Sequence, residues 1–312
     1  MDKNQKIYVA GHQGLIGSAL MRRLKAKGYG NLITATYSEL NLKDSHQVRS
    51  FFEATKPDYV LLAAGKTGGL YATNTYRADF IYENLMIESN IIHMAFLTEV
   101  KKLIFFSCSS IYPKMAPQPM KEEAILSGYL EPTNEEFAVA KIAGMKMCEA
   151  YNKQYGTNFL SVIPTNVYGI NQKYEPLNSP VIPSLIRKFH RAKVTQENSV
   201  VILGTGRPAR DFLFADDCAD ACLFLLENNV SNEPINIGTG RDHTIRELAE
   251  IMRKVVGYQG TITYDTTQPD GTITKLQDID KISRLGWKPK VELEEGIRLT
   301  YRDYLERSDR LL

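Results

Sequence analysis

Apolar positions in the first half of the chain fall into two alternating patterns. Short runs that are apolar almost throughout recur at "KIYVA" (6–10), "NLITAT" (31–36), "DYVLLAA" (58–64), "KLIFFS" (102–107) and "FLSVIP" (159–164). Between them, apolar residues return every three or four positions, which predicts helices over 15–28, 45–55, about 74–99 and about 134–155. Strands that are apolar on both faces and alternate with helices predict an α/β, doubly wound parallel sheet covered on both sides.

The pattern loosens after Pro164. The stretch 165–185 is rich in Pro, Asn and Gly and reads mostly as loop; a loop of that length in a compact domain is usually functional. A helix over about 181–192, a strand at 200–203 and a loop "GTGRPARDF" (204–212) follow. The helix over 215–228 carries Asp216 and Asp217 in its first turn, where they favour the helix dipole. "PINIG" (234–238) reads as a strand returning to the main sheet, and helices near 244–256 and 293–306 close the chain. The expected organisation is a dinucleotide-binding domain over 1–169, with a return segment near 211–240, and a smaller α/β lobe over 170–312 that takes the substrate.

Composition narrows the classes. The 312 residues are 43% hydrophobic and 24% charged, as suits a globular protein, and the formal charge of +2 with no dense Lys/Arg stripe gives no nucleic-acid footprint. No apolar run approaches the ~20 residues that span a bilayer, and "MDKNQKIYVAG" has no signal-peptide core. Cys108, Cys148, Cys218 and Cys222 form no C-x-x-C pair, so reduced thiols and a cytoplasmic location are expected. His12, His46, His93, His190 and His243 show no metal-ligand spacing, and no metal is expected.

Candidate chemistry begins at "AGHQGLIG" (10–17), with glycines at 11, 14 and 17 between the first strand and the first helix. Such glycines permit a tight turn, close approach of a pyrophosphate and its placement on the helix N-terminus. The plainer alternative is a structural glycine turn. After the second strand, an Asp or Glu would bind a ribose 2′-hydroxyl and an Arg a 2′-phosphate. "TATYSEL" (34–40) offers neither at the expected point, Glu39 comes late, and Arg22 and Arg23 on the first helix read as solvated.

"SCSSIYP" (107–113) follows the fourth strand, where small hydroxyl and thiol groups would face the ligand crevice. In "LEPTNEEFAVAK" (130–141), Thr133 and Glu136 have capping-box spacing. Phe137 and Lys141, four apart, share one helix face. Arg187 and Arg210 are each either a diphosphate clamp or a surface charge.

These segments together resemble the extended short-chain dehydrogenase/reductase family, and within it the GDP-L-fucose synthase branch. The resemblance runs nearly end to end, through "AGHQGLIGSA" (10–19), "ADFIYENLMIESNIIH" (78–93), "SSIYPKMAPQPM" (109–120), the stretch 130–156, "PTNVYG" (164–169), "VIPSLIRKFH" (181–190), "RDFLFADD" (210–217), "NIGTG" (236–240) and "LGWKP" (285–289). It implies a Rossmann-like fold, NADP(H) or NAD(H), a GDP-linked 4-keto-sugar and a homodimer. The dimer would form through the helices near 74–99 and 134–155, with Ile87, Ile91, Met94, Met145 and Cys148 as candidate apolar surface.

The resemblance further implies catalytic positions at Cys108, Ser109, Ser110, Phe137 and Lys141. Implied cofactor contacts are Gly11, Gln13, Gly14, Leu15, Ile16, Gly17, Asn41, Leu42, Ala63, Ala64, Lys141, Pro164, Asn166 and Val167. Implied substrate contacts are Asn166, Val181, Arg187, Leu203, Arg210 and Asp270. Departures fall on the chemistry. Phe137 stands for the family's tyrosine acid, Cys108 for its serine, Ser110 for its epimerase cysteine and Pro180 for its epimerase histidine. Gln13, Ala35 and Tyr37 replace cations at the 2′-phosphate, and Leu203 a tryptophan near the nucleotide.

Epimerisation needs one group to take a proton beside the carbonyl and another to return one. Serine and proline suit neither role. The sequence therefore points to C4 reduction without 3,5-epimerisation, with Cys108, Ser109, Tyr112 or a water on Lys141 as proton donor. The alternative is a nucleotide-sugar-binding protein of the same fold that has lost turnover.

Overall fold

The computed structural model describes residues 2–308 except 176–178, 229, 231 and 269. Five strands and five helices alternate first: β1 (Ile7–Ala10), α1 (Leu15–Ala26), β2 (Leu32–Ile33), α2 (Ser45–Thr55), β3 (Tyr59–Leu62), α3 (Leu70–Thr75), α4 (Arg77–Leu97), β4 (Lys102–Phe106), α5 (Glu135–Tyr155) and β5 (Phe159–Pro164). Then come β6 (Asn166–Tyr168), α6 (Val181–Val194), β7 (Ser199–Leu203), β8 (Ala209–Phe214), α7 (Ala215–Glu227), β9 (Ile235–Ile237), β10 (Asp242–Thr244), α8 (Ile245–Val256), β11 (Thr261–Asp265), β12 (Thr274–Lys275), α9 (Asp280–Arg284) and α10 (Leu293–Ser308).

The main sheet has six parallel strands in the order β2-β1-β3-β4-β5-β9. Alternation along each strand sends side chains to opposite faces. Ile7 and Val9 pack with α1 and α7, whereas Tyr8 and Ala10 pack with α2, α4 and α5. The direction of winding reverses between β1 and β3, and the crevice there lies at the strands' C-terminal ends. A third core, around Phe189, Phe212, Leu248 and Ile297, joins α6, α8 and α10 to β7 and β8. β10 and β12 flank the first half of β8, and β6 pairs with its second half, Phe212 to Phe214.

Local sequence explains most boundaries. Asp44 caps α2 by accepting from the amides of His46 and Gln47 at 2.9 and 3.1 Å. Thr244 and Glu247 form a complete capping box on α8. α5 stops at Gly156, whose φ of +69° suits glycine.

Several expectations are corrected. The helix expected over 74–99 starts at Arg77, because Tyr76 leaves the helical region and the Arg77 guanidinium folds back onto Asn74; residues 70–75 form a separate short turn of helix. The 133–136 capping box does not form: Thr133 leans on Glu131 at 3.4 Å, and Glu136 pairs with Arg77 at 3.0 Å. The loop expected over 204–212 ends in β8, and 165–185 contains β6 and the start of α6, with 176–178 outside the described residues. β2 is only two residues long. Arg22 and Arg23 are tied to Asp216 and Asp220 on α7 rather than solvated. Ile91, Met94, Met145 and Cys148 are buried in the protein's own core, so they offer no outward surface.

Candidate active site

The turn after β1 is built for close approach. Gly11 has φ +83°, and a Cβ there would stand 2.8 Å from the Ala64 backbone just after β3. Gly17 lies against the Gly11 carbonyl with no room for a side chain. The Gly14 amide donates to that same carbonyl at 2.9 Å. α1 then begins at Leu15 and Ile16 with no side-chain cap and no acid in its first turn. Its open amides and positive dipole end fit a pyrophosphate. Asn171 donates to the Gln13 carbonyl at 2.8 Å, tying this turn to the loop after β6.

The neighbouring cofactor positions line the same crevice or support it. Ala63 and Ala64 follow β3 and lie against Gly11. Asn41 opens the turn into α2, and the Leu42 carbonyl accepts from Asn90 at 2.9 Å. Asn84 on α4 clamps the Lys66 amide and carbonyl at 3.0 and 3.1 Å, which fixes the turn after β3. Pro164 ends β5, with Asn166 and Val167 just beyond. Among the described residues after β2, where the resemblance puts the 2′-phosphate, Tyr37 is 72% exposed and Glu39 is taken by the Thr36 amide and hydroxyl.

The crevice floor is formed by the end of β4 and the start of α5. Lys141 is 5% exposed; its ammonium lies 2.9 Å from Glu88 Oε1 on α4 and donates to the Phe106 carbonyl at 3.1 Å. The Phe137 ring is half-buried, 6.0 Å from Lys141 Nζ and edge-on to Phe80 at 5.8 Å. Cys108 leaves β4 half-buried, and burial pushes its thiol pKa up against the opposing effects of Lys141 and Ser110. Ser109 and Ser110 open a 3-10 turn, and Asn134 donates to Ser110 Oγ at 3.3 Å. Tyr112 is no proton donor for a ligand: it is 1% exposed and its hydroxyl donates to Asn236 at 2.6 Å.

The expected substrate residues lie on β6, α6, β7, β8 and the loop before β12, with unequal surroundings. Asn166 donates to the Asp211 carbonyl at 2.9 Å. Behind it, the Asp211 carboxylate accepts from the Thr239 amide and hydroxyl at 3.0 and 2.6 Å, and burial pushes its pKa up to about 6. Among the described residues Arg210 reaches only carbonyls, those of Ala209 and Ile273, and burial lowers its pKa. It is thus a half-buried cation without a carboxylate, the state that an anion would relieve. Asp270 holds the Thr205 amide and hydroxyl at 2.8 and 2.6 Å across Gly204. Leu203 is 64% exposed at the end of β7, and Val181 opens α6.

Arg187 has neither hydrogen bond nor ion pair among the described residues, whereas its neighbour Lys188 reaches the Val201 carbonyl on β7 at 2.6 Å. Sequence reading missed Lys188, and it missed Lys275. The latter pairs in register with Arg210 and feels Arg210, Glu131 and Cys108, and burial lowers its pKa. β12 is two residues long, too short for a periodic signal.

Residues 7–238 match the NAD dependent epimerase/dehydratase family. The chain belongs to this family. Among its curated relatives, GDP-L-fucose synthase 1 of Arabidopsis thaliana is 53% identical over 98% of this chain and 94% of its own. GDP-L-fucose synthase of Escherichia coli K12 is 50% identical over 98% of each. A solved relative, MlghC, GDP-mannoheptose C4 reductase from Campylobacter jejuni with NADP bound, is 43% identical with a TM-score of 0.90, over 98% of this chain and 99% of its own. The family's nicotinamide dinucleotide fits the glycine turn, the uncapped α1 and the Ala63–Ala64 edge seen here.

Proposed function

We propose that this chain reduces the C4 carbonyl of a GDP-linked 4-keto-sugar, using NADP(H) or NAD(H), without exchanging protons at C3 and C5. One observation carries the reading: Lys141 is buried and charge-paired beside the end of β4, while the family resemblance assigns the proton-exchange positions to Ser110 and Pro180, neither of which suits that role. The reduced nicotinamide supplies the hydride. Lys141 orients the bound groups and protonates the new alkoxide through a water, with Cys108 and Ser109 beside it. Arg187 and Arg210, with Lys275 beside Arg210, neutralise the GDP diphosphate, and Asn166 and Asp270 fix the nucleotide sugar. The named activities of the relatives support the substrate class.

The dinucleotide would be carried by residues 1–169 and the segment near 211–240, and the GDP-sugar by 170–312. Free thiols at all four cysteines favour a cytoplasmic setting; among the described residues no helix is long and apolar enough to cross a membrane. A homodimer through the outer faces of α4 and α5 is supported by Tyr82, Val139, Leu97 and Tyr155, which are 60%, 40%, 45% and 51% exposed. Purified protein, a GDP-4-keto-sugar and each reduced dinucleotide test the function. Cofactor oxidation well above a blank supports it; tight binding of both ligands without turnover replaces it with the binding-protein reading, which Phe137 motivates.

A further inference from the structure

Lys141 is held by a partner that the proposed reaction has not used. Glu88 projects from α4 toward α5 and is 1% exposed. A carboxylate in that position is costly unless it is paired, and its Oε1 lies 2.9 Å from Lys141 Nζ. Neither carboxylate oxygen receives an aligned hydrogen bond, so the contact with Lys141 is an ion pair, and Oε2 faces Gly144. A Cβ at Gly144 would stand 2.5 Å from that oxygen and 2.6 Å from Phe105 Cζ. Glycine is a poor residue for the interior of a 21-residue helix. Its presence one turn from Lys141 makes room for the Glu88 carboxylate.

The ammonium of a lysine has three donors. One donates to the Phe106 carbonyl, and a second side of the ammonium is turned to Glu88 as an ion pair. On the β3 side, Nζ lies 3.5 Å from where a Gly65 Cβ would be, so the crevice edge is within reach of the third.

We infer that Glu88 is the positioning residue of this site: it fixes the Lys141 ammonium and keeps it charged at the crevice, in a space reserved by Gly144. This rests on Lys141 acting as proposed above. A role in stability alone is a weak reason for the pair, because well-packed apolar residues usually serve a core as well as a buried ion pair does. Other titratable groups facing the pair supply no counter-charge. Cys108 and Cys148 are thiols pushed further toward the neutral form by burial, and Lys66, on the turn after β3, is engaged with Asp79 and Glu83. Among the described residues Glu88 is the carboxylate within ion-pair distance of Lys141.

The test measures NADPH affinity and kcat/KM from pH 6.5 to 9 for wild type, Glu88→Gln, Gly144→Ala, Lys141→Met and the double variant Glu88→Gln/Lys141→Met. A buried amine without its counter-charge loses its proton more readily as pH rises. Glu88→Gln is therefore expected to weaken NADPH binding tenfold or more at pH 8.5 and less at pH 6.5. Gly144→Ala, which displaces the carboxylate without removing it, should act in the same direction more weakly. In the Lys141→Met background, Glu88→Gln should change affinity by less than twofold. The inference is overturned if folded Glu88→Gln matches wild type within twofold across the range, or if it costs as much without Lys141 as with it. Should Glu88→Gln fail to fold, Glu88→Asp and Gly144→Ala are held to the same pH criterion. Affinity is read without turnover, so failure with every GDP-keto-sugar would sink the reductase reading while leaving this result standing.

Discussion

Restoring a phenol at position 137 puts the proposed proton path under direct stress. Phe137 sits one turn before Lys141 on α5, with its ring centre 6.0 Å from Nζ. With Nζ over the ring, a tyrosine oxygen at the ring's far edge comes to hydrogen-bond distance of the ammonium once the ring turns toward Lys141. The substitution adds one oxygen to a half-buried ring and preserves its edge-on contact with Phe80 at 5.8 Å, so stability should change by no more than about 0.5 kcal/mol. A well-placed general acid contributes about 10²–10⁴-fold. The full range is not expected, because the Lys141 ammonium is already ion-paired with Glu88 and donates to the Phe106 carbonyl. We predict that Phe137→Tyr raises the C4-reduction rate by roughly tenfold or more and adds no epimerisation, since Ser110 and Pro180 are unchanged. The assay follows loss of reduced-nicotinamide absorbance with a GDP-4-keto-sugar, and product stereochemistry by NMR. A rate that falls or stays level would refute the reasoning: another group would then already donate the proton, and Phe137 would be pocket wall.

Three further outcomes are expected. Gln13, Ala35 and Tyr37 offer a 2′-phosphate no cation, and Arg22 is spent on Asp216 at 3.0 and 2.6 Å; each missing charge-assisted bond is worth about 1.5–3 kcal/mol, so paired titrations should find NADH binding comparably to NADPH, and a hundredfold preference for NADPH would contradict this. Burial raises Asp211 to about 6 from an ordinary 3.8, so the folded state holds its proton more tightly than the unfolded one. Its contribution therefore falls as pH rises between those values, by about 3 kcal/mol; denaturant titrations should show Asp211→Asn gaining on wild type over that window, and parallel curves would refute it. Light scattering at micromolar concentration should give a dimer mass, and Tyr82→Lys with Val139→Lys should shift it toward monomer; a wild-type monomer contradicts the interface.

How much was legible depended on where the information lay along the chain. Strands such as 159–164 and the glycine turn announced themselves because their apolar runs and glycines are local, and the six-stranded sheet follows from them. The break at Tyr76 was hidden because Arg77 folds onto Asn74, a side-chain contact that leaves no periodic trace. Thr133 and Glu136 had capping spacing, but tertiary partners Glu131 and Arg77 took both side chains. In the site, Lys141 and Cys108 were readable from helix spacing and strand-end position. Glu88 was not, because a carboxylate in a helical segment reads as solvent-facing until α4 is laid against α5. Lys275 was hidden for a similar reason, since its neighbour Arg210 is far away in the sequence.

The most direct measurement is the reaction run in D2O with a GDP-4-keto-sugar and reduced dinucleotide, with deuterium located in the product by NMR. The account predicts stoichiometric cofactor oxidation, a hydroxyl at C4, and no deuterium at C3 or C5. Deuterium at both carbons would show that groups other than Ser110 and Pro180 exchange protons there, and the claim of reduction without epimerisation would fail.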